Sequence, residues 1–257
     1  MRNNIRGVLT AVVTPFDTEG ALSLSGLKRQ IDRQLSAGNG IFCGGTNGEF
    51  FVLNEEEKIA VTRTCVETVA GRAPVVAHIG EISTRETIRL GKQIASLGVD
   101  AVSVITPYFV PLKQSELVAH YTAIADALAV PVFLYNIPAR TGNTIEPATA
   151  RALAEHPNIV GIKDSAGSYE SLRGFLNAVR DMDGFDVLNG PDSLIHQGFV
   201  DGCSACISGL AKVAFSPAAV KKALQIMGED VGESRYAVAF SQQQCQQIRR
   251  IVTTSLN

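Results

Sequence analysis

Val132-Phe133-Leu134-Tyr135-Asn136 and Ile159-Val160-Gly161-Ile162-Lys163-Asp164 are two short apolar runs, and the residues that close them, Tyr135 and Lys163, stand 28 positions apart. A lysine at the end of a buried strand is costly unless chemistry uses it. Working outward, the same spacing recurs. Runs rich in β-branched residues begin near Val8, Gly40, Pro74, Ala101, Val132, Ile159, Phe185 and Ala205, a mean repeat of about 28 residues. Amphipathic stretches of about a dozen residues separate them, which is the pattern of a parallel sheet with helical crossovers. Helices are expected over 55–70, 84–97, 115–128 and 147–155, the first with Asn54 as its N-cap.

Eight such units in 257 residues predict an α/β chain folded as a (β/α)8 TIM barrel rather than an open doubly wound sheet. The first strand is followed by Thr14-Pro15-Phe16-Asp17 and not by a Gly-rich dinucleotide turn. No linker or low-complexity tract divides the chain, so residues 1–257 are expected to form one barrel domain. Helices are expected over 216–227, with Pro217 in the first turn, and over 241–253, so that 229–257 is a short helical tail.

Composition narrows the function classes. A net charge of −2 with 46% hydrophobic residues points away from nucleic acid and anionic membranes as partners. No apolar stretch reaches the length of a membrane span, and Met1-Arg2-Asn3-Asn4 lacks the apolar core of a signal peptide, so the expected compartment is the cytoplasm. Five cysteines, an odd number, argue for reduced thiols. Cys203-Ser204-Ala205-Cys206 matches a CxxC spacing, but it stands at an apolar strand and has no second pair to complete a zinc site. His78, His120, His156 and His196 show no ligand spacing, so no metal cofactor is expected.

In a barrel of this kind the chemistry sits where strands end and βα loops begin. If Lys163 points inward, strict alternation turns Gly161 and Ile159 inward with it and sends Ile162 and Val160 toward the helices. Tyr135 and Phe133 point inward on the neighbouring strand by the same counting. Desolvation favours the free amine of a buried lysine, which a Schiff-base nucleophile needs. The competing reading of Lys163 is an ammonium leaving the barrel mouth to pair with an acid. Gly44-Gly45-Thr46-Asn47-Gly48-Glu49 follows the second strand. Its glycines let N–H groups converge into a nest for a small anion, and Thr46 adds a hydroxyl; alone, such a motif is more often a plain turn. Arg140 either grips a carboxylate or is a solvated loop residue. Thr106-Pro107-Tyr108-Phe109, Asn189-Gly190-Pro191-Asp192 and Ile207-Ser208-Gly209 end further strands at the same mouth and are candidate pocket walls.

Taken together, Gly44 to Glu49, Thr106-Pro107-Tyr108, Tyr135-Asn136-Ile137-Pro138-Ala139-Arg140-Thr141-Gly142 and Gly161-Ile162-Lys163-Asp164 resemble the dihydrodipicolinate synthase / N-acetylneuraminate lyase family of class I aldolases. The resemblance runs in order from about Gly7 to Gly209. It implies a lysine, here Lys163, that forms an imine with a 2-oxo acid such as pyruvate, with no separate cofactor. It also implies Tyr135 as general acid/base, Thr46 as proton relay and Arg140 as a contact for the substrate carboxylate. Gly45, Asn47, Tyr108, Phe109, Gly190, Asp192, Ile207 and Ser208 are the further candidate substrate contacts. Partners are then a small 2-oxo acid, an aldehyde and other copies of the chain, as a dimer or tetramer.

Three departures from the family pattern stand out. Phe109 occupies the place of a tyrosine that synthases lend to the neighbouring subunit, Asn47 replaces a usual threonine, and the C-terminal part is several dozen residues short. The shortage is internal, because Pro217 to Leu224 resembles later helices of the family yet follows the eighth strand almost directly. The expectation is that the helix from Ser216 takes the place of the eighth barrel helix, packed beside the first and seventh. The expected activity is a lyase or aldolase acting at C3 of pyruvate, either 4-hydroxy-tetrahydrodipicolinate synthase-like or a sialic-acid or keto-deoxy-sugar-acid aldolase. Alternatives are a dehydratase using the same imine, or an impaired barrel kept for binding or scaffolding.

Overall fold

The computed structural model describes residues 5–209, 217–235 and 240–255. Met1-Arg2-Asn3-Asn4 and Ser216 lie outside the described residues. Eight parallel strands close in chain order into a barrel: β1 (Gly7–Ala11), β2 (Gly40–Cys43), β3 (Val75–His78), β4 (Ala101–Ile105), β5 (Val132–Asn136), β6 (Ile159–Asp164), β7 (Asp186–Asn189) and β8 (Ala205–Ser208). Around them lie α1 (Leu24–Ser36), α2 (Glu55–Val69), α3 (Thr84–Ala95), α4 (Gln114–Ala127), the one-turn α5 (Pro138–Thr141), α6 (Pro147–Ala154), α7 (Tyr169–Ala178) and α8 (Ile195–Asp201). The chain ends in α9 (Pro217–Ile226) and α10 (Gln242–Ser255). Every strand and helix expected from the periodicity is present, with ends shifted by one or two residues. None of the described helices is long and apolar enough to cross a membrane.

Local chemistry sets these elements. At α2, Asn54 Oδ1 accepts the Glu57 N–H at 2.9 Å while Glu57 Oε2 accepts the Asn54 N–H at 3.0 Å, a reciprocal cap that satisfies two otherwise orphaned donors. Ser23, Ser83 and Ser168 cap α1, α3 and α7 in the same sense. The barrel interior is filled by Leu9, Phe42, Val76, Ala101, Phe133, Val160, Leu188, Ala205 and Ile207, while the opposite strand faces pack on the helices. Each fully buried Leu, Val, Ile or Phe side chain among them contributes about 1.5–3 kcal/mol.

Two expectations are corrected. Strict alternation on β6 fails at its start: a register irregularity pairs Val132 with Ile159 and Phe133 with Gly161, so Val160 joins the interior and Ile159 packs toward the helices. Gly161 explains the constraint, because a Cβ there would overlap the Asp186 carbonyl and the Phe133 ring. The bulge is absorbed before Ile162, and Lys163 still faces Tyr135 in register.

The second correction concerns α9, which does not fill the eighth helix's place. Ala219 and Ala223 pack on Ile248 and Val252 of α10, and Val220 packs on Val13 and Val231 near the barrel mouth. Just past its end, Glu229 and Asp230 pair with Arg33 and Arg29 of α1. A cavity of about 240 Å³ remains between Leu224, Met227 and the outer side of β1. Val8 on that outer face stays 36% exposed, and Phe199 and Val200 of α8 are exposed as well. The physical reason is that α9 spends its alanine face on α10 and buries Lys221 against Glu49 in the loop after β2.

Candidate active site

A cavity of about 530 Å³ opens at the carboxyl ends of the strands, a size suited to small organic substrates. Lys163 and Tyr135, one register pair on β6 and β5, stand at its floor. The Lys163 ammonium nitrogen lies 4.0 Å from the Tyr135 ring centre and 4.6 Å from that of Phe42, and the residue is 5% exposed. Among the described residues it has no carboxylate partner within ion-pair distance. Among the described residues, the contacts recorded for its nitrogen are the faces of these two aromatic rings rather than an ion pair. The next register pair fixes the two strand ends: Asn136 Nδ2 donates to Asp164 Oδ1 at 2.8 Å, and Asn136 Oδ1 accepts the Ile145 N–H at 3.0 Å.

Thr46 Oγ1 lies 3.1 Å from the Tyr135 hydroxyl. The loop that carries it must approach closely, since a Cβ on Gly45 would overlap the Phe42 ring, and Glu49 adopts the left-handed φ of 57°. The Asn47 amide fills the space that a side chain at position 209 would need. Arg140, at the turn after β5, lines the cavity, as do Gly190, Asp192 and Ile207. Ser208 Oγ donates to Asp192 Oδ1 at 2.8 Å and so orients the carboxylate instead of lining the cavity itself.

Gly45, Tyr108 and Phe109 are also outside the lining. Tyr108 packs with Phe50, Ile105 and Ile137 behind Tyr135. Phe109 is 91% exposed with φ 81° and has no hydroxyl to add to the Thr46–Tyr135 pair. The structure adds Phe42, Ile137, Ser165, Ser193 and Val220 to the walls. Phe42 was open to the same alternation counting that turned Tyr135 inward. Val220 carried no such signal, because it arrives from α9. A second hollow, of about 570 Å³, lies between α7 and β7 and is lined by Arg173, Arg180 and Asp186. It holds neither the lysine nor the phenol.

His78, inward on β3, stacks its edge on Phe50 and Tyr135 at centroid distances of 4.6 and 5.9 Å. Burial, then the nearby charges of Lys163 and Lys58, push it down to about 3, and burial pushes His120 down to about 4. Both rings are therefore neutral in the folded protein where the unfolded chain begins to take up protons, near pH 6.5. Stability is full above that pH and is lost on acidification, by about 1.4 kcal/mol per pH unit per histidine, down to about 4 for His120 and about 3 for His78. Chemical denaturation between pH 7 and 4.5 should show this slope, reduced by about one proton in His120→Gln. Identical slopes in the two proteins would refute the assignment for His120.

The two thiols of the CxxC segment, Cys203 and Cys206, are buried and free. Burial, with smaller contributions from Asp201, Asp164 and Cys206, pushes Cys203 up to about 12, away from redox reactivity.

A closed (β/α)8 barrel with a buried lysine and a tyrosine paired on adjacent strand ends places this chain in the class of α/β barrels that carry their reactive groups at the carboxyl ends of the strands. The chain belongs to the dihydrodipicolinate synthetase family, whose model matches residues 4–255, α9 and α10 included. It is a class I, Schiff-base aldolase or lyase of that family. It is 39% identical to 4-hydroxy-tetrahydrodipicolinate synthase of Exiguobacterium sibiricum over 207 residues, 80% of this chain and 70% of the relative. The corresponding synthase of Geobacter sulfurreducens is 39% identical over 81% of this chain and 71% of its own. Among solved structures, dihydrodipicolinate synthase from Thermotoga maritima superposes with a TM-score of 0.93 at 29% identity, covering 98% of this chain and 99% of that one.

Proposed function

We propose that Lys163 is the imine-forming residue and that the chain joins pyruvate to a small aldehyde bearing a carboxylate, as 4-hydroxy-tetrahydrodipicolinate synthases do. The observation that carries this reading is the buried Lys163–Tyr135 pair with Thr46 on the phenol. The Lys163 amine adds to the carbonyl carbon of pyruvate and water leaves, giving an iminium. The iminium acts as an electron sink, so C3 loses a proton to form an enamine, and the enamine carbon attacks the aldehyde. Tyr135 moves the protons, assisted by Thr46, and the N–H groups of Thr46 and Asn47 hold the pyruvate carboxylate. Arg140 on the cavity wall supports an acceptor with a second carboxylate.

Ser165, Asp192 and Ser193, which also line the cavity, favour a second reading, cleavage of a polyhydroxylated sugar acid such as N-acetylneuraminate. The same catalytic groups serve that reaction in reverse. The intact lysine–phenol–hydroxyl set is the argument against a barrel retained only for binding. The working unit is a homo-oligomer in the cytoplasm. Phe51, Ile82, Phe109 and Val110 support oligomerisation as exposed apolar side chains in the loops at the barrel mouth. Four buried free cysteines support a reducing compartment.

Incubation with pyruvate and borohydride should leave a reduced pyruvyl adduct on Lys163, located by peptide mass spectrometry. Absence of the adduct there sinks the imine assignment. A panel of aldehydes for condensation, with sugar acids monitored by pyruvate release, decides between the two acceptors.

A further inference from the structure

Glu49 closes the loop that carries Thr46 and Asn47, and its carboxylate is completely buried. Oε1 lies 2.8 Å from the Lys221 ammonium of α9, itself 1% exposed. Oε2 accepts the Ser234 hydroxyl at 2.6 Å and the Arg235 backbone N–H at 3.1 Å. Lys221 also donates to the Glu233 carbonyl at 3.1 Å and stands 3.9 Å from the centre of the Phe16 ring, over which Arg235 sits at 4.0 Å. Arg235 in turn donates twice to Glu57, at 2.6 and 2.8 Å, and so reaches the cap of α2. One carboxylate thus gathers α9, the 233–235 segment and, through Arg235, the start of α2.

Such a pair is weak evidence of stabilisation, because desolvating two charges cancels much of their attraction. Its geometry is what the site uses. The Glu49 N–H bonds the Thr46 carbonyl at 3.2 Å, the Thr14 hydroxyl bonds the Gly48 carbonyl at 2.7 Å, and the left-handed backbone at Glu49 holds only if its surroundings over-determine it. Val220, the residue before Lys221, lines the cavity. We propose that Glu49 and Lys221 are positioning residues whose buried pair sets the 45–48 backbone and the Val220 wall, so that the loop amides and the Thr46 hydroxyl meet a 2-oxo acid. The pair transfers to the C-terminal segment a supporting role that α9 could not play from the eighth helix's place. The inference rests on the imine reading above for its ligand, and on the structure alone for the loop.

The test compares the charge-free double variant Glu49→Gln/Lys221→Met with the wild type and with Leu90→Ala, a core truncation in α3 far from the mouth. In the folded double variant the pyruvate concentration for half-maximal borohydride trapping should rise about tenfold, while the trapping rate at saturation stays within about threefold. Amide hydrogen exchange across residues 44–49 should accelerate by about tenfold with α3 unchanged. Leu90→Ala should lower the melting temperature and leave half-saturation where it was. Half-saturation within about twofold of wild type in the double variant, or an equal rise in Leu90→Ala, overturns the proposal. If the double variant does not fold, Ser234→Ala replaces it, removing one bond to the same carboxylate with the charges kept; about a threefold rise supports the proposal and no rise overturns it. A wild type that traps no pyruvate rejects the imine reading separately, and loop exchange then decides the positioning role by itself.

Discussion

Lys163→Met should abolish the borohydride adduct and lower turnover by at least about 10⁴-fold, yet leave the protein as stable as the wild type or more so. The two halves of this expectation have one cause. A lysine nitrogen whose residue is 5% exposed, with aromatic rings for company and no carboxylate partner among the described residues, is buried at a cost in solvation. Methionine has nearly the same length and places a thioether against Phe42 and Tyr135, a contact that aromatic edges favour. Removing the polar nitrogen therefore relieves desolvation, and each kcal/mol recovered is worth about 2–4 °C in melting temperature for a protein of this size. A structural lysine would behave in the opposite way, because its loss would strand a partner. Steady-state turnover and calorimetry on the same preparation check both halves. Retention of about a hundredth of the turnover, or a melting temperature several degrees below wild type, would refute the role given to Lys163.

Tyr135→Phe is the second large effect. It keeps the ring that faces Lys163, Phe42 and His78 and deletes only the hydroxyl 3.1 Å from Thr46. Packing and the lysine's surroundings are preserved, so stability should change by no more than about 1 kcal/mol, the scale of a single hydrogen bond. Turnover should fall by about 10²–10⁴-fold, the range for removal of a positioned acid–base group. Lys163 should still be trapped by pyruvate, more slowly, since the amine remains. Rapid-quench trapping beside steady-state assays separates imine formation from the later proton transfers. A loss of turnover smaller than about tenfold would move the acid–base role away from Tyr135.

The legible part of this protein was the part written locally. Strand starts at Gly40, Ala101, Val132, Ile159 and Ala205 follow from β-branched runs, and the cap at Asn54 follows from a carboxylate three residues on. The Lys163–Tyr135 pairing was readable because both residues end runs of the same period on consecutive strands. Alternation fails at Ile159 and Val160 because it assumes an unbroken pleat, and the bulge beside Gly161 answers to the Phe133 ring and the Asp186 carbonyl of neighbouring strands. The lining by Phe42 lay within reach of the same counting. Phe109 stood out as an aromatic after Thr106-Pro107, but its outward turn depends on a backbone angle that side-chain patterns do not encode.

By itself the sequence determined the barrel, its eight strands and the two residues that face each other at its mouth, because periodicity and strand-end chemistry act over a few residues. Only the tertiary structure decided what α9 packs against. Lys221 reads as a solvated helix position, and it is buried against a carboxylate 172 positions earlier in the chain. Charge pairing across that separation leaves no periodic trace: either residue alone is unremarkable, and the desolvation that makes each need the other exists only once the chain has closed around both.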